Sequence, residues 1–287
     1  MSRRTIELIA LGVIVVGTLA AQTHKEYRYN VGPKARISVN DPYGAISVKP
    51  STGNSVIVNA VLYSDKVEVD NTQTGSHLDV QSHLLAGATA ETGRVDYDVF
   101  VPADATVTLH SSTGPLYAEK LHGDMTLEGS AAAVDIRDVS DAHVHVKTLN
   151  GAVTLTNVQD GHIEVDSLSG PVTLDAVTGP LVQVISTSGK IIYAGDFGSS
   201  GEYRLTSHSG DIDAIVPENT SADVSARSVK GEVRDDIPLQ PKAHTWFTPT
   251  QGRAFMGTMG HAAVSSTVVL RSFSGKIHLR KRTAKSQ

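Results

Sequence analysis

The chain has 287 residues, no cysteine, 5% aromatic residues and a formal net charge of −5. The lack of cysteine excludes a disulfide framework, thiolate catalysis, thiolate metal sites and a lipid-bearing cysteine anchor. The acidic balance gives no footprint for nucleic acid, and 25 glycines beside so few aromatics suit thin coils with tight turns. Residues 1–21 read as a signal peptide. Arg3 and Arg4 give a positive start, and Ile6 to Leu19 forms an apolar run too short to span a membrane comfortably. Ala20 and Ala21 then supply a small-residue cleavage site. The alternative is an uncleaved N-terminal anchor, which would be the route to membrane contact. Either way the body is expected to be exported, to the periplasm, the cell surface or the medium.

Residues 22–101 are β-rich but irregular. Ile37-Ser-Val39 and Ile46-Ser-Val48 flank Asp41-Pro-Tyr-Gly44 and form a first coil. Val56 to Val58, Val67 to Val69, Leu78 to Val80 and Val95 to Val99 follow at spacings that match no repeat. These segments are expected to cap the open end of a stack, because exposed strand edges need covering.

Residues 102–236 carry the regular repeat. Its unit is apolar-x-apolar-x-Ser/Thr-x-x-Gly-x-apolar-x-apolar, centred on Gly114, Gly151, Gly170, Gly189, Gly210 and Gly231, and it returns at Gly275. A degenerate copy sits at Ala132. From Ala132 through Gly151, Gly170 and Gly189 each step is nineteen residues; the next two steps are twenty-one. A fixed period of this length is the mark of stacked repeats. Around each glycine the apolar positions alternate, as in Val144, Val146, Val153 and Leu155 or Ile163, Val165, Val172 and Leu174. That is the half-buried strand pattern. Each unit is therefore strand, sharp turn, strand, second turn. The second turn recurs at Leu121-His-Gly-Asp, Val139-Ser-Asp-Ala, Val158-Gln-Asp-Gly and Val177-Thr-Gly-Pro.

Three residues before the glycines stands a hydroxyl column: Ser111, Thr148, Ser167, Ser186, Ser207, Ser228 and Ser272. By strand parity it faces inward, and a ladder of hydroxyls bonded at the corners of the coils explains it better than a catalytic serine. The outward columns mix charges, as where Lys147 neighbours Asp166.

Residues 237–263 break the period with Pro238, Pro241, Pro249, Trp246, Phe247 and Phe255. They are expected to form an irregular loop or a hairpin insertion, with Trp246, Phe247 and Phe255 as binding candidates. Residues 264–287 hold the final coil and a basic tail.

Asp41-Pro-Tyr-Gly44, Ser64-Asp-Lys-Val-Glu-Val69, Ser111-Ser-Thr-Gly114 and the closing Ser272-Phe-Ser-Gly-Lys-Ile-His-Leu279 occur in an order that carries a likeness. From about residue 27 to 282 the chain resembles the exported bacterial β-strand-repeat proteins of unknown function that are commonly labelled "putative adhesins". The resemblance implies a repetitive β-structure in the bacterial envelope, and it supplies no catalytic residues to carry over.

β-Helices also host polysaccharide lyases and hydrolases, which need converging carboxylates. The candidates are Asp211 and Asp213, with Glu232 one coil further on; Asp211 and Glu232 share an outward column and are expected within about 5 Å. The competing reading is a surface charge ladder, since Lys190 and Lys276 occupy the same column. His143 and His145 lie on one strand without an obvious third ligand. Neither a metal nor a cofactor is expected. Together these features predict an all-β fold, a single-stranded parallel β-solenoid of about eight coils with an irregular N-terminal cap, right-handed by the crossover rule. The expected role is a non-catalytic envelope scaffold or adhesin that meets a surface glycan or an envelope protein. The alternatives are a carbohydrate-active enzyme and a periplasmic accessory protein.

Overall fold

The computed structural model describes residues 22–240, 252–260 and 265–282. The predicted signal segment, Trp246, Phe247 and the end of the basic tail lie outside the described residues. Twenty-four strands and no helix are found within them, in two sheets of twelve strands. The leading sheet holds the strand before each repeat glycine. Its spatial order is β5 (Val67–Thr74), β6 (His77–Leu84), β2 (Arg36–Asn40), β8 (Thr106–Ser111), β10 (Met125–Gly129), β12 (His143–Thr148), β14 (His162–Ser167), β16 (Leu181–Ser186), β18 (Glu202–Ser207), β23 (Ser266–Ser272), β20 (Ala222–Ser228) and β22 (Ala254–Met259). The trailing sheet runs β1 (Thr23–Asn30), β4 (Ser55–Leu62), β7 (Val95–Val101), β3 (Ile46–Pro50), β9 (Leu116–Glu119), β11 (Val134–Ser140), β13 (Val153–Gln159), β15 (Val172–Val177), β17 (Ile191–Ala194), β19 (Ile212–Val216), β24 (Ile277–Lys281) and β21 (Val233–Asp235).

Repeat strands pair in parallel and in the register that the columns predict. Val146 lies opposite Val165, and Val165 opposite Val184. On the other sheet Leu155 lies opposite Leu174, and Leu174 opposite Tyr193. All of these are buried, so the core is a set of apolar rows between two sheets. Asp235 breaks its row and is exposed, at the strand that ends the trailing sheet. The second turn opens on a left-handed residue just before its buried apolar anchor. Lys120, Asp138, Asn157 and Ala176 have φ of 57°, 53°, 53° and 53°, and Leu121, Val139, Val158 and Val177 are buried behind them. Where the step lengthens to twenty-one residues, Phe197 turns inward and stacks on Tyr193 at 4.7 Å, with Tyr203 edge-on to both.

The glycines are required by closeness. A Cβ on Gly170 would lie 1.9 Å from the Gly151 carbonyl oxygen, and one on Gly151 would lie 1.8 Å from that of Ala132. The hydroxyl column serves the same corner. From Thr148 onward its members bond within the turn to the glycine three residues on: Thr148 Oγ1 accepts from the Gly151 amide at 2.9 Å, and the Ser167 hydroxyl donates to the Gly170 carbonyl at 2.8 Å. The degenerate copy is a compensated exchange. Its hydroxyl position is Gly129, and a Cβ there would meet the Ala132 methyl at 2.8 Å.

In the first coil Asp41 replaces the hydroxyl and accepts from the Gly44 amide at 2.5 Å. It is fully buried, and its second oxygen has no partner among the described residues, nor does the Ser111 hydroxyl one rung on. Burial pushes its pKa up to about 6, against the hydrogen bonds that it accepts.

Three of the four sheet ends carry antiparallel strands: β4 and β1 beyond β7, β5 beyond β6, and β22 beyond β20. The fourth ends in the three-residue β21. An edge as short as β21 resists further strand addition.

One expectation is corrected. Chain order stacks the Gly231 coil directly on the Gly210 coil, but β23 and β24 lie between them, pairing with β18 and β19 on one side and with β20 and β21 on the other. Gly231 therefore rests on the Gly275 carbonyl, and Gly275 on that of Gly210.

Three outcomes test this packing. Val165→Asp puts a charge between the sheets and should cost more than about 3 kcal/mol, while Asp166→Ala should stay within about 0.5 kcal/mol in urea unfolding. Similar effects would shift the parity by one residue. Gly129→Ser should destabilise by about 2 kcal/mol through its clash with Ala132, and adding Ala132→Gly should recover at least half of that loss. Asp41 binds its proton more tightly folded than unfolded, so its contribution improves as pH falls from about 6 toward 4 and is lost above 6. Asp41→Ser, the residue used elsewhere in the column, should raise stability at pH 7.5 by up to roughly 3 kcal/mol and gain little at pH 4.

Candidate functional site

The inserted coil rearranges the predicted carboxylate cluster. Lys276 takes the row between Asp211 and Glu232, which places those two about 9.6 Å apart, two rungs instead of one. The outward column reads Lys190, Asp211, Lys276, Glu232, alternating in sign. Asp211 Oδ1 accepts the Lys276 amide at 2.7 Å. Asp213, one row away and mostly buried, is held by Lys190 Nζ at 2.6 Å and Arg280 Nη2 at 3.2 Å. The expectation that Asp211 and Glu232 are direct neighbours is thus overturned by the seating of β24. Asp211 is bonded to backbone and Asp213 to two cations, and Lys276 separates Asp211 from Glu232 in a charge ladder.

Four histidines stand on nearby strands of the leading sheet, His110, His143, His145 and His162. β12 and β14 lie side by side, so His143 faces His162 with ring centroids 4.8 Å apart. Glu164 meets His145 Nδ1 at 3.2 Å and His162 Nε2 at 3.4 Å. These hydrogen bonds hold the Glu164 carboxyl below the usual carboxylate range. Among the described residues no group of three histidine, aspartate or glutamate side chains is arranged to hold a metal ion.

A surface absent from the column reading appears at the corner of the stack. The residue two before each glycine stands outside both sheets. Leu149 is 51% exposed and Leu168 48%, and Val229 and Phe273 are exposed further along the same row. Ile185 stands exposed beside them on β16. His208 lies flat against Phe273 with ring centroids 5.0 Å apart, and Lys230 Nζ sits 4.8 Å above the same ring. A shallow trough of about 440 Å³ flanks the row, bordered by His110, Glu128, Lys147 and Asp166. Single exposed apolar side chains are ordinary, whereas a row of them marks a contact surface. The signal was present in the sequence: a large apolar residue inside Ser/Thr-x-x-Gly, where a solvated turn favours a polar one.

Of the predicted binding aromatics, Phe255 lies on β22 opposite Ala226 and is partly buried against the core. Its neighbour Met256 is exposed. Near this hairpin a trough of about 660 Å³ runs between Glu218, Ile237, Leu239, Met259 and Lys281.

Comparison with known proteins places this architecture. A solved structure from Clostridium sporogenes, described as a "putative cell adhesion protein", is similar with a TM-score of 0.29 and 11% identity over 91% of this chain and 100% of that one. That likeness is too distant to carry function or detailed structure across. No curated protein matches the chain. A family model described as Toastrack DUF4097 matches residues 35–280, the span from the first buried strand to the last. The chain belongs to the Toastrack DUF4097 family.

Proposed function

We propose that this protein is a non-catalytic, exported cell-envelope scaffold or adhesin, a right-handed solenoid of about eight regular coils that presents repeated surfaces to a partner. The observation that carries this reading is the exposed corner row, apolar at Leu149 and Leu168 and again at Phe273 and Val229, with Thr187 and His208 between the two pairs and Ile185 beside them. Two apolar pairs, each with its members one rung of about 4.8 Å apart, lie in line on a rigid support. A strip of this kind binds by shape and desolvation, with a few buried anchors supplying most of the affinity. The competing enzyme reading loses its basis where Lys276 separates Asp211 from Glu232 and two cations hold Asp213.

The test is retention of the purified full chain on intact bacterial cells and on their isolated envelopes. Leu149→Ser with Leu168→Ser should lower retention by about tenfold or more. Because both side chains are exposed, the unfolding midpoint should stay close to that of the parent. Equal retention would remove the corner row as the contact surface. Polysaccharide cleavage by the parent, lost on Asp213→Asn, would overturn the non-catalytic reading.

A further inference from the structure

On the trailing sheet, across the stack from the leading-sheet surfaces, one aromatic side chain stands out from a flat face. Tyr117 on β9 is 42% exposed, with Ser47 of β3 and Asp135 of β11 directly beside it in neighbouring strands. Two residues further along the same strands stand Lys49, Glu119 and Arg137. Together they line a groove of about 240 Å³. On its other side the row two residues earlier holds Ala45, Pro115 and Ala133, so the groove has one low edge and one polar wall.

The polar wall is chemically unusual. Arg137 grips Asp135 through Nε and Nη2 at 2.8 and 2.6 Å. That uses two of its five N–H donors. Lys49 and Glu119 are only loosely paired, at 3.8 Å, which leaves ammonium hydrogens and carboxylate lone pairs available. Donors and acceptors therefore alternate beside an exposed ring, and the four charges sum to zero.

We propose that this groove binds an uncharged glycan, one sugar ring lying on the face of Tyr117 with its hydroxyls against Asp135, Arg137, Glu119 and Lys49. A pyranose ring has an apolar C–H face and an edge of hydroxyls that both donate and accept. The exposed ring suits the first, as aromatic faces do for amphipathic partners. The charged wall suits the second, because hydrogen bonds to ionised groups are the stronger ones. An anionic glycan gains nothing here, since what Lys49 and Arg137 attract, Glu119 and Asp135 repel. The proposal deepens the binding-scaffold reading by naming a ligand class, but it uses a different sheet from the apolar corner row.

The experiment titrates the full chain with chitotetraose, cellotetraose and maltotetraose, and with tetragalacturonate as the anionic counterpart, following binding by calorimetry and by shifts of Tyr117 signals in NMR. At least one neutral tetrasaccharide should bind more tightly than tetragalacturonate. Tyr117→Ala should weaken that binding tenfold or more, Tyr117→Phe should largely preserve it, and Leu149→Ser with Leu168→Ser should leave it unchanged. Tyr117 is exposed, so thermal unfolding of Tyr117→Ala should match the parent; Asp135→Asn gives a second, independent loss of affinity. Absence of binding to all three neutral probes up to about 10 mM would overturn the proposal. So would binding that survives Tyr117→Ala, or a preference for the anionic probe. None of these outcomes bears on cell retention through the corner row, so the two readings fail separately.

Discussion

The structure depends on one contact: at each corner the carbonyl oxygen of one coil occupies the space where a side chain of the next would begin. The gap at Gly151, Gly170 and Gly189 is 1.8 to 2.0 Å from a hypothetical Cβ to that oxygen. Only glycine allows backbones to approach this closely, and the approach sets the stacking distance of the two sheets together. From Thr148 onward the hydroxyl three residues earlier then satisfies the corner amide or carbonyl of its tight turn. Ala132 shows that the rule concerns volume and not residue identity, because Gly129 vacates the room its methyl requires.

The same stacking sets the functional surfaces. Parallel in-register rungs turn any recurring outward residue into a continuous row. A row of alternating charge makes the Lys190 to Glu232 ladder, and the corner row carries an apolar pair at each end, Leu149 with Leu168 and Phe273 with Val229. The seating of the final coil shows how rows discriminate between arrangements. With β24 in place, opposite charges alternate along the trailing sheet, whereas the order of the chain would set Asp211 against Glu232. Like charges opposite one another destabilise a sheet. Charge alone does not decide the matter, since Arg227 and Arg271 are neighbours on the leading sheet. The stacking of His208 on Phe273 and the Lys230 ammonium above that ring favour the observed order as well.

Most of the β-architecture was legible because it is written in period-two patterns and a recurring glycine. Val146, Val165 and Val184 were identifiable as successive rungs from spacing alone. The non-sequential position of β23 and β24 was not legible, because a repeat unit carries no mark of which neighbour it prefers; that preference lies in cross-strand pairs such as His208 with Phe273. The candidate site suffered from the same blindness. Asp211 and Glu232 share a column, as read, but adjacency in a column depends on rung order. The exposure of Leu149 and Leu168 was not legible because they sit between the recurring hydroxyl and glycine of the turn, where side-chain direction does not follow strand parity. Tyr117 falls on the outward row of its strand, yet its partners come from strands as far apart in the chain as Ser47 and Asp135, and only the paired register brings them together.

The interleaved coil also has a kinetic consequence. A chain that emerges N-terminus first can lay down its rungs in order from β8 and β9 through Val216, but the rung made by residues 222–235 finds its neighbours only after residues 266–281 have emerged. That rung is therefore completed only when residues 266–281 are in place. A product cut short before that point would leave two unmatched edges facing each other across an empty slot, a ready target for quality-control proteolysis.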